Sequence, residues 1–379
     1  MPSALVNGVR LNYVQMGAAD IGVPHEDLVM VHGLGTNLAF WYFHYAAVFA
    51  RRYRVTVYDL RGHGRSEMPA GGYTPANLAR DLEGLLDHLA IRRAHFLVHS
   101  FGGVIALKLA CVAPDRVASM VLADTHISAA RSASGQIWDY GAGMQHLLDE
   151  AGITLSTRDP YFGYRLLTEV ARMQVNREPV PPGLDKLIGP LVTNCGSKTA
   201  AQWLRLMKGT SAEPELMGED GLALEALRRM RFPILAMYGD NSQARVTGKE
   251  LLGVWPHAEF RRVRDAGHFF PSTRPAEVIR ACSQFWRGDF RKFATHRAGE
   301  GNQRHFRSER VYQAEGGWYC QTRESGSLGP FISREDTSEQ LDAYISTMGA
   351  GKIVSACANY GSAKRRRAAN GSRPSSSDS

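Results

Sequence analysis

Short apolar segments alternate with amphipathic ones along the first 290 residues. Most positions are apolar in five short segments, at residues 28–31, 54–58, 94–98, 117–122 and 233–238. Residues 9–15 alternate apolar with polar side chains. Between these segments, residues 77–90 and 275–286 repeat apolar residues at the spacing of one helix face, and residues 101–113 form a helical segment of small and apolar residues. Strands that are apolar on both faces and alternate with helices predict an α/β fold with a mostly parallel sheet.

Two regions interrupt this alternation and define the predicted domains. We assign residues 1–130 and 231–290 to the α/β core and residues 131–230, which carry a helical and aromatic-rich pattern, to a cap inserted between two strands. Residues 291–307 read as a polar linker and residues 308–348 as a small α+β module. Residues 349–379 form a basic, serine-rich tail whose composition predicts disorder.

Charge and cysteine usage narrow the function classes. The net charge of +8 is concentrated at the end of the chain, where residues 290–379 hold 14 Lys and Arg against 9 Asp and Glu. The charge of the predicted core therefore does not indicate nucleic-acid binding. Five widely spaced cysteines without a C-x-x-C pair argue against a disulfide framework or a zinc site. The longest apolar region is interrupted by polar residues and no signal peptide is visible, so we expect no membrane span and a cytoplasmic location.

The strongest chemical signal is the run Val98-His99-Ser100-Phe101-Gly102-Gly103. A predicted strand ends there and a helix of small residues begins, which holds the Ser100 hydroxyl above the sheet in front of a helix N-terminus. Gly102 suits a turn where the backbone passes close to its neighbours.

Three further motifs matter: the first two follow predicted strands, and the third follows an apolar stretch. They are His32-Gly33-Leu34-Gly35, Gly239-Asp240 and Asp265-Ala266-Gly267-His268. Together with residues 59–66, Asp-Leu-Arg-Gly-His-Gly-Arg-Ser, and with the order Ser, Asp, His, they make residues from about 5 to 288 resemble the α/β-hydrolase superfamily. In that family the motif around the turn that carries the nucleophile usually begins with glycine, and this chain has Val98 at that position.

The resemblance implies a role for each matching residue. Ser100 matches the nucleophile, His268 the general base and Asp240 the acid, with Asp124 at the end of another strand as the alternative acid. The backbone N–H groups of Leu34 and Phe101 match the oxyanion hole. Substrate-pocket residues are predicted at the aromatic positions Trp41, Tyr42, Trp138 and Tyr161.

The resemblance also implies a function. We expect a serine hydrolase that cleaves a carboxylic ester, thioester or lactone of a medium-sized, largely apolar small-molecule substrate through an acyl-enzyme, without metal or organic cofactor. A carbon–carbon bond hydrolase is the enzymatic alternative, since fold does not set chemistry. A non-catalytic ligand-binding or docking protein is the alternative of another class, and a protein partner is the corresponding hypothesis for the C-terminal module.

Overall fold

The computed structural model describes residues 2–17, 25–134, 142–181, 184, 196–288, 311–314, 317–322, 327–331 and 333–349. The chain forms two compact units that divide near residue 295. Trp138, the predicted linker at 291–307 and all but the first residue of the predicted tail lie outside the described residues.

The first unit is built on an eight-stranded sheet. Its strands are β1 Ser3–Val6, β2 Val9–Met16, β3 Glu26–Val31, β4 Tyr53–Tyr58, β5 Ala94–His99, β6 Val117–Ala123, β7 Ile234–Gly239 and β8 Glu259–Val263, in the order β1-β2-β4-β3-β5-β6-β7-β8. From β4 to β8 neighbouring strands are parallel, and β1 and β2 add antiparallel pairs at one edge. The structure confirms the predicted α/β fold, and it adds β1 and β8, which the hydrophobic pattern did not predict.

Helices cover both faces of this sheet, which explains why its strands are continuously apolar. The helices are α1 Ala39–Trp41, α2 Ala47–Phe49, α3 Pro75–His88, α4 Phe101–Val112, α5 Ser128–Ser134, α6 Ala142–Glu150, α7 Phe162–Asn176, α8 Gly196–Gly209, α9 Ala212–Leu216, α10 Leu224–Arg228, α11 Arg245–Val254, α12 Phe270–Thr273 and α13 Pro275–Arg287. A π-helical turn, Tyr42–Ala46, joins α1 to α2. Along β3, Val29 and Val31 enter one buried cluster while Leu28 and Met30 enter the other.

The helical segment between β6 and β7 has a small core of its own. Leu148, Phe162, Leu166 and Val170 are buried together there. The Asp220 carboxylate holds the two ends of the segment, because it accepts hydrogen bonds from the backbone N–H groups of Ser128, 2.6 Å away, and of Leu222, 2.9 Å away. The inserted helices are therefore attached to the core at both of their connections.

Glu215 of α9 forms a second attachment. Its carboxylate accepts hydrogen bonds from the backbone N–H groups of Gly72, Tyr73 and Thr74 and from the Ser211 hydroxyl. Burial by itself raises the pKa of Glu215, but these four hydrogen bonds favour the charged form and the net pKa is lowered. The loop before α3 is thus held by an ionised carboxylate.

We predict that Glu215→Ala lowers the free energy of unfolding by about 1–2 kcal/mol at pH 7, because three backbone donors lose their acceptor. A carboxyl whose pKa is lowered in the folded state stabilises the fold above its unfolded-state pKa, and this contribution disappears as the pH falls through the folded-state value. The difference in thermal unfolding between wild type and Glu215→Ala should therefore shrink on acidification.

Glu213, an exposed glutamate of the same helix, provides the matched control. Glu213→Ala should leave the melting temperature nearly unchanged at either pH. Equal effects of the two substitutions at pH 7 would contradict the structural role given to Glu215.

The second unit contains a three-stranded antiparallel sheet and one helix. Strands β9 Val311–Ala314, β10 Gly317–Gln321 and β11 Ser327–Phe331 lie in the order β11-β10-β9, and helix α14 Arg334–Gly349 packs on all three. Cys320 and Leu341 are buried between sheet and helix, while Trp318 is half-buried.

Candidate active site

Ser100 is the single residue between the end of β5 and the start of α4. Its φ of 53° and ψ of −124° lie in a region that non-glycine residues rarely adopt, at a cost of about 1–3 kcal/mol. The turn brings α4 against β3, since a Cβ atom on Gly102 would lie 2.6 Å from the carbonyl oxygens of Val31 and His32. Val98 stays in β5, paired with its neighbours, so its side chain does not disturb the turn.

His268 lies in the loop that follows β8 and faces Ser100. Its Nε2 atom is 3.0 Å from the Ser100 Oγ, and its Nδ1 atom is 2.7 Å from the Oδ2 of Asp124. The backbone carbonyl of His268 accepts a hydrogen bond from Nε2 of His99, 3.0 Å away. These distances put a hydroxyl, an imidazole and a carboxylate in one hydrogen-bonded chain.

Asp124, which directly follows β6, is fully buried and has a φ of 53°. Its Oδ1 atom accepts a hydrogen bond from the backbone N–H of Gly239, 3.0 Å away. Its Oδ2 atom accepts from the hydroxyl of Ser242 as well as from His268. The carboxylate is therefore held by donors from the end of β7 and from the loop that follows it, and it is directed at the imidazole.

Asp240, the acid preferred in the sequence analysis, is not part of this chain of hydrogen bonds. Its backbone N–H pairs with the carbonyl of Val263, and its carboxylate forms an ion pair with Arg262 of β8 at 2.5 Å. The side chain is thus drawn toward the sheet edge and away from β6. The expectation that Asp240 contacts His268 is wrong, and the alternative, Asp124, takes that position.

The loop after β3 carries Leu34, the first predicted oxyanion donor, and is called the oxyanion loop below. Hydrogen bonds hold the peptide between Gly33 and Leu34 in one orientation. The Gly33 carbonyl accepts hydrogen bonds from the Thr36 hydroxyl and from Nδ1 of His32, each at 2.8 Å. Nε2 of His32 accepts from the backbone N–H of Leu60, which leaves the ring proton on Nδ1. Because a trans peptide points its C=O and N–H in opposite directions, the Leu34 N–H faces away from these donors.

The second predicted oxyanion donor is the N–H of Phe101, the first residue of α4. First-turn N–H groups have no acceptor within their helix and carry the positive end of the helix dipole. Gly33 lies beside this turn, since a Cβ on Gly33 would be 3.0 Å from the Cβ of Ser100. The backbone next to Leu34 therefore lies against the Ser100 turn, and the role of the Leu34 and Phe101 N–H groups as an oxyanion hole stays a prediction.

Four other histidines surround this centre without carrying charge at neutral pH. Burial lowers the pKa of His32 and His63 to about 4 and that of His126 to about 3. Burial, aided by the nearby His268, also takes the pKa of His99 well below its ordinary range. Nε2 of the neutral His63 accepts a hydrogen bond from the Gly35 N–H, so this histidine supports the oxyanion loop.

The predicted pocket residues fall into different environments. Trp41 is fully buried and packs edge-on against Phe40 and Tyr45 in the core, so the structure corrects its assignment to the pocket. Tyr42 and Tyr161 are half-buried, and their pocket role stays a prediction. A small cleft, whose lining does not include Ser100 or His268, lies between the oxyanion loop and the inserted helices; it is lined by Gly35, Leu167, Val170, Ala171, Gln174, Thr199, Ala200 and Trp203.

Sequence reasoning missed two contributors to this site. Phe40 stacks on His99 with ring centroids 4.7 Å apart, and His99 in turn lies 4.7 Å from the His268 ring. Ser242 contacts Asp124 from the neighbouring loop. Phe40 belongs to an aromatic run visible in the sequence, whereas nothing in the sequence around Ser242 indicates its contact.

Comparison with known protein families settles the family. The family model described as alpha/beta hydrolase fold matches residues 28–275, about two thirds of the chain. The chain belongs to the α/β-hydrolase fold family. Residues 296–350 match a separate domain of unknown function, DUF6316.

Similar proteins carry related names. A 3-oxoadipate enol-lactonase 2 from Acinetobacter baylyi is 38% identical over 146 residues, which cover 38% of this chain and 51% of that enzyme. The chain thus spans about half the length of this curated relative.

Solved structures extend the likeness over the whole first unit. Est816, titled as an N-acyl homoserine lactone degrading enzyme, aligns with a TM-score of 0.52 and 25% identity over 75% of this chain and 100% of its own. The esterase RhEst1 from Rhodococcus sp. aligns with a TM-score of 0.55 and 22% identity over 75% and 96%, which supports the fold alone.

The described part of the chain contains neither a membrane-spanning helix nor a metal-binding group of side chains. None of its helices is long and apolar enough to cross a membrane. Its His, Cys, Asp and Glu side chains form no group of three that could hold a metal ion.

The geometry predicts different consequences for the two aspartates. Asp124→Asn should slow the reaction of Ser100 with a fluorophosphonate by about 10⁴-fold, because an amide stabilises neither the required His268 tautomer nor its charged form. Asp240→Asn should change the rate less than about twofold, since it removes only a partly exposed ion pair. Rates of covalent labelling, with melting temperatures as a folding control, test both; a larger effect at Asp240 would overturn the assignment.

Proposed function

We propose that the chain is a serine hydrolase that cleaves a carboxylic ester, thioester or lactone through an acyl-enzyme. The observation that carries this proposal is the hydrogen-bonded series from Ser100 Oγ through His268 to Asp124. Such a series lets an imidazole remove the proton of a hydroxyl while a buried carboxylate holds the imidazole in the required tautomer.

The reaction then proceeds in two halves. Ser100 Oγ attacks the substrate carbonyl carbon as His268 Nε2 takes the hydroxyl proton, and the oxyanion accepts hydrogen bonds from the Leu34 and Phe101 N–H groups. When the tetrahedral intermediate collapses, the carbon–oxygen or carbon–sulfur bond breaks and His268 returns the proton to the leaving group. Water, deprotonated by His268, then attacks the acyl-enzyme; the bond between the acyl carbon and Ser100 Oγ breaks, His268 returns the proton to Ser100 Oγ, and the acid is released. In a lactone the leaving alcohol remains part of the same molecule.

Three features support a largely apolar substrate, with lactones among the first to test. The small cleft beside the oxyanion loop is lined by Leu167, Val170, Ala171, Ala200 and Trp203, together with the polar side chains of Gln174 and Thr199. A relative and a solved structure that the chain resembles carry lactone-hydrolysing names. The neutral, buried histidines around the centre add no charge that would recruit an ionic substrate.

Ser100→Ala tests the proposal directly. It should abolish fluorophosphonate labelling and lower turnover of the best ester or lactone by about 10⁴- to 10⁶-fold, since it removes the nucleophile without opening a cavity. The panel should contain aliphatic lactones, nitrophenyl esters and acyl thioesters, assayed beside the wild type. Turnover that survives Ser100→Ala unchanged would contradict a serine mechanism.

Removal of the C-terminal unit gives a further prediction. A chain that ends at Phe290 should fold and keep its activity on a small ester, because every residue of the site and the helix α13 precede that point. The removed segment holds 14 Lys and Arg against 9 Asp and Glu, so the shortened protein should also bind cation exchangers more weakly. Loss of catalysis with unchanged circular dichroism and melting would show that residues beyond Phe290 take part in the site.

A further inference from the structure

Ser242 lies next to the carboxylate of the site and has no role in the proposed reaction so far. Its hydroxyl donates to Oδ2 of Asp124, the same oxygen that accepts the Nδ1 proton of His268 at 2.7 Å. Both residues are buried, with Ser242 at 9% exposure and Asp124 at 0%. The hydroxyl therefore contacts the acid at the atom through which the acid acts on the imidazole.

The backbone orients this hydroxyl. The Ser242 Oγ accepts a hydrogen bond from the N–H of Ala244, 3.2 Å away, and the N–H of Ser242 itself pairs with the carbonyl of Gly239. A hydroxyl has one proton to donate. Because a backbone donor occupies one of its lone pairs, that proton is directed at Asp124.

We propose that Ser242 is a positioning residue that holds the Asp124 carboxylate in place and tunes its hold on the proton of His268. This inference rests on the proposed serine mechanism, in which the N–H of Gly239 at the end of β7 and the hydroxyl of Ser242 in the following loop both donate to the acid that follows β6. A hydrogen bond to a charged acceptor is short and strong. It withdraws charge from the shared oxygen, which moderates the attraction of that oxygen for the imidazolium.

Removal of the hydroxyl has two expected consequences. Ser242→Ala should lower kcat by about tenfold to a hundredfold, the effect of losing one hydrogen bond to a charged group, with little change in KM. The carboxylate, left with one donor fewer, attracts the His268 proton more strongly. The acidic limb of the rate profile should therefore move to higher pH, by roughly 0.5 unit.

Few other groups near the pair can titrate within the assay range. His99 packs on the His268 ring, and Nδ1 of His126 is hydrogen-bonded to the hydroxyl of Thr247. Burial lowers the pKa of both His99 and His126. Tyr238, whose hydroxyl donates to the carbonyl of Thr125, has its pKa raised by burial and then by Asp124. A moved limb therefore reports on the pair Asp124 and His268.

The variants are Ser242→Ala, Ser242→Thr, Asp124→Asn and the double variant Ser242→Ala with Asp124→Asn. Ser242→Thr keeps the hydroxyl and should restore most of the rate and the wild-type pH profile. In the Asp124→Asn background, Ser242→Ala should change the rate of fluorophosphonate labelling less than about twofold, because a residue that acts through Asp124 has nothing left to act on. Asp240→Asn, on the same loop, serves as the matched control and should match wild type.

The inference is overturned if Ser242→Ala matches wild type in kcat and pH profile, or if its loss is the same with and without Asp124→Asn. The second outcome would indicate a structural effect on the loop, which melting temperatures would register independently. Failure of the proposed function gives a different result, because wild type would then neither turn over the panel nor label at Ser100.

Discussion

The chain turns from β5 into α4 at one non-glycine residue, and the arrangement of the site depends on the close packing that this turn permits. With a φ of 53°, Ser100 holds its hydroxyl above the carboxyl edge of the sheet. Gly102 lets α4 approach the carbonyl groups at the end of β3. That approach brings the loop after β3 beside Ser100, so one strained turn sets the position of the hydroxyl relative to this loop.

The second constraint is the buried charge of Asp124. A carboxylate without solvent must be held by donors, and here they come from His268, the Gly239 N–H and the Ser242 hydroxyl. Two of these donors come from the last residue of β7 and from the loop that follows it, and β7 is the neighbour of β6, the strand that precedes the acid. The parallel pairing of β6 with β7 therefore brings the Asp124 carboxylate, which follows β6, next to the donors at and after the end of β7. Those donors set the position of the carboxylate.

The sheet and two residues of the site could be predicted from the sequence, because each is indicated by residues that are neighbours along the chain. Strands buried on both faces leave continuous apolar runs, and Ser100 and His268 stand in short motifs with distinctive neighbours. The acid could not be chosen in this way, since Asp124 and Asp240 both follow apolar strands. The choice depends on Arg262 of β8, which pairs with Asp240.

The aromatic residues after the oxyanion loop are a second case in which the sequence was not sufficient to predict the role of a side chain. Trp41 and Tyr45 are four residues apart and share the buried face of their helical segment, whereas Phe43 is 74% exposed. That spacing was available in the sequence, but it does not say which face meets the sheet. Only the packing of the segment on the core strands decides that Trp41 is a core residue.

The most direct test of the central claim is a crystal structure of the protein after reaction with a fluorophosphonate. The account predicts a phosphorus–oxygen bond to Ser100 Oγ, with the phosphoryl oxygen about 2.7–3.1 Å from the N–H groups of Leu34 and Phe101. It also predicts that His268 stays hydrogen-bonded to Asp124. An adduct on another residue, or a phosphoryl oxygen directed away from both N–H groups, would contradict it.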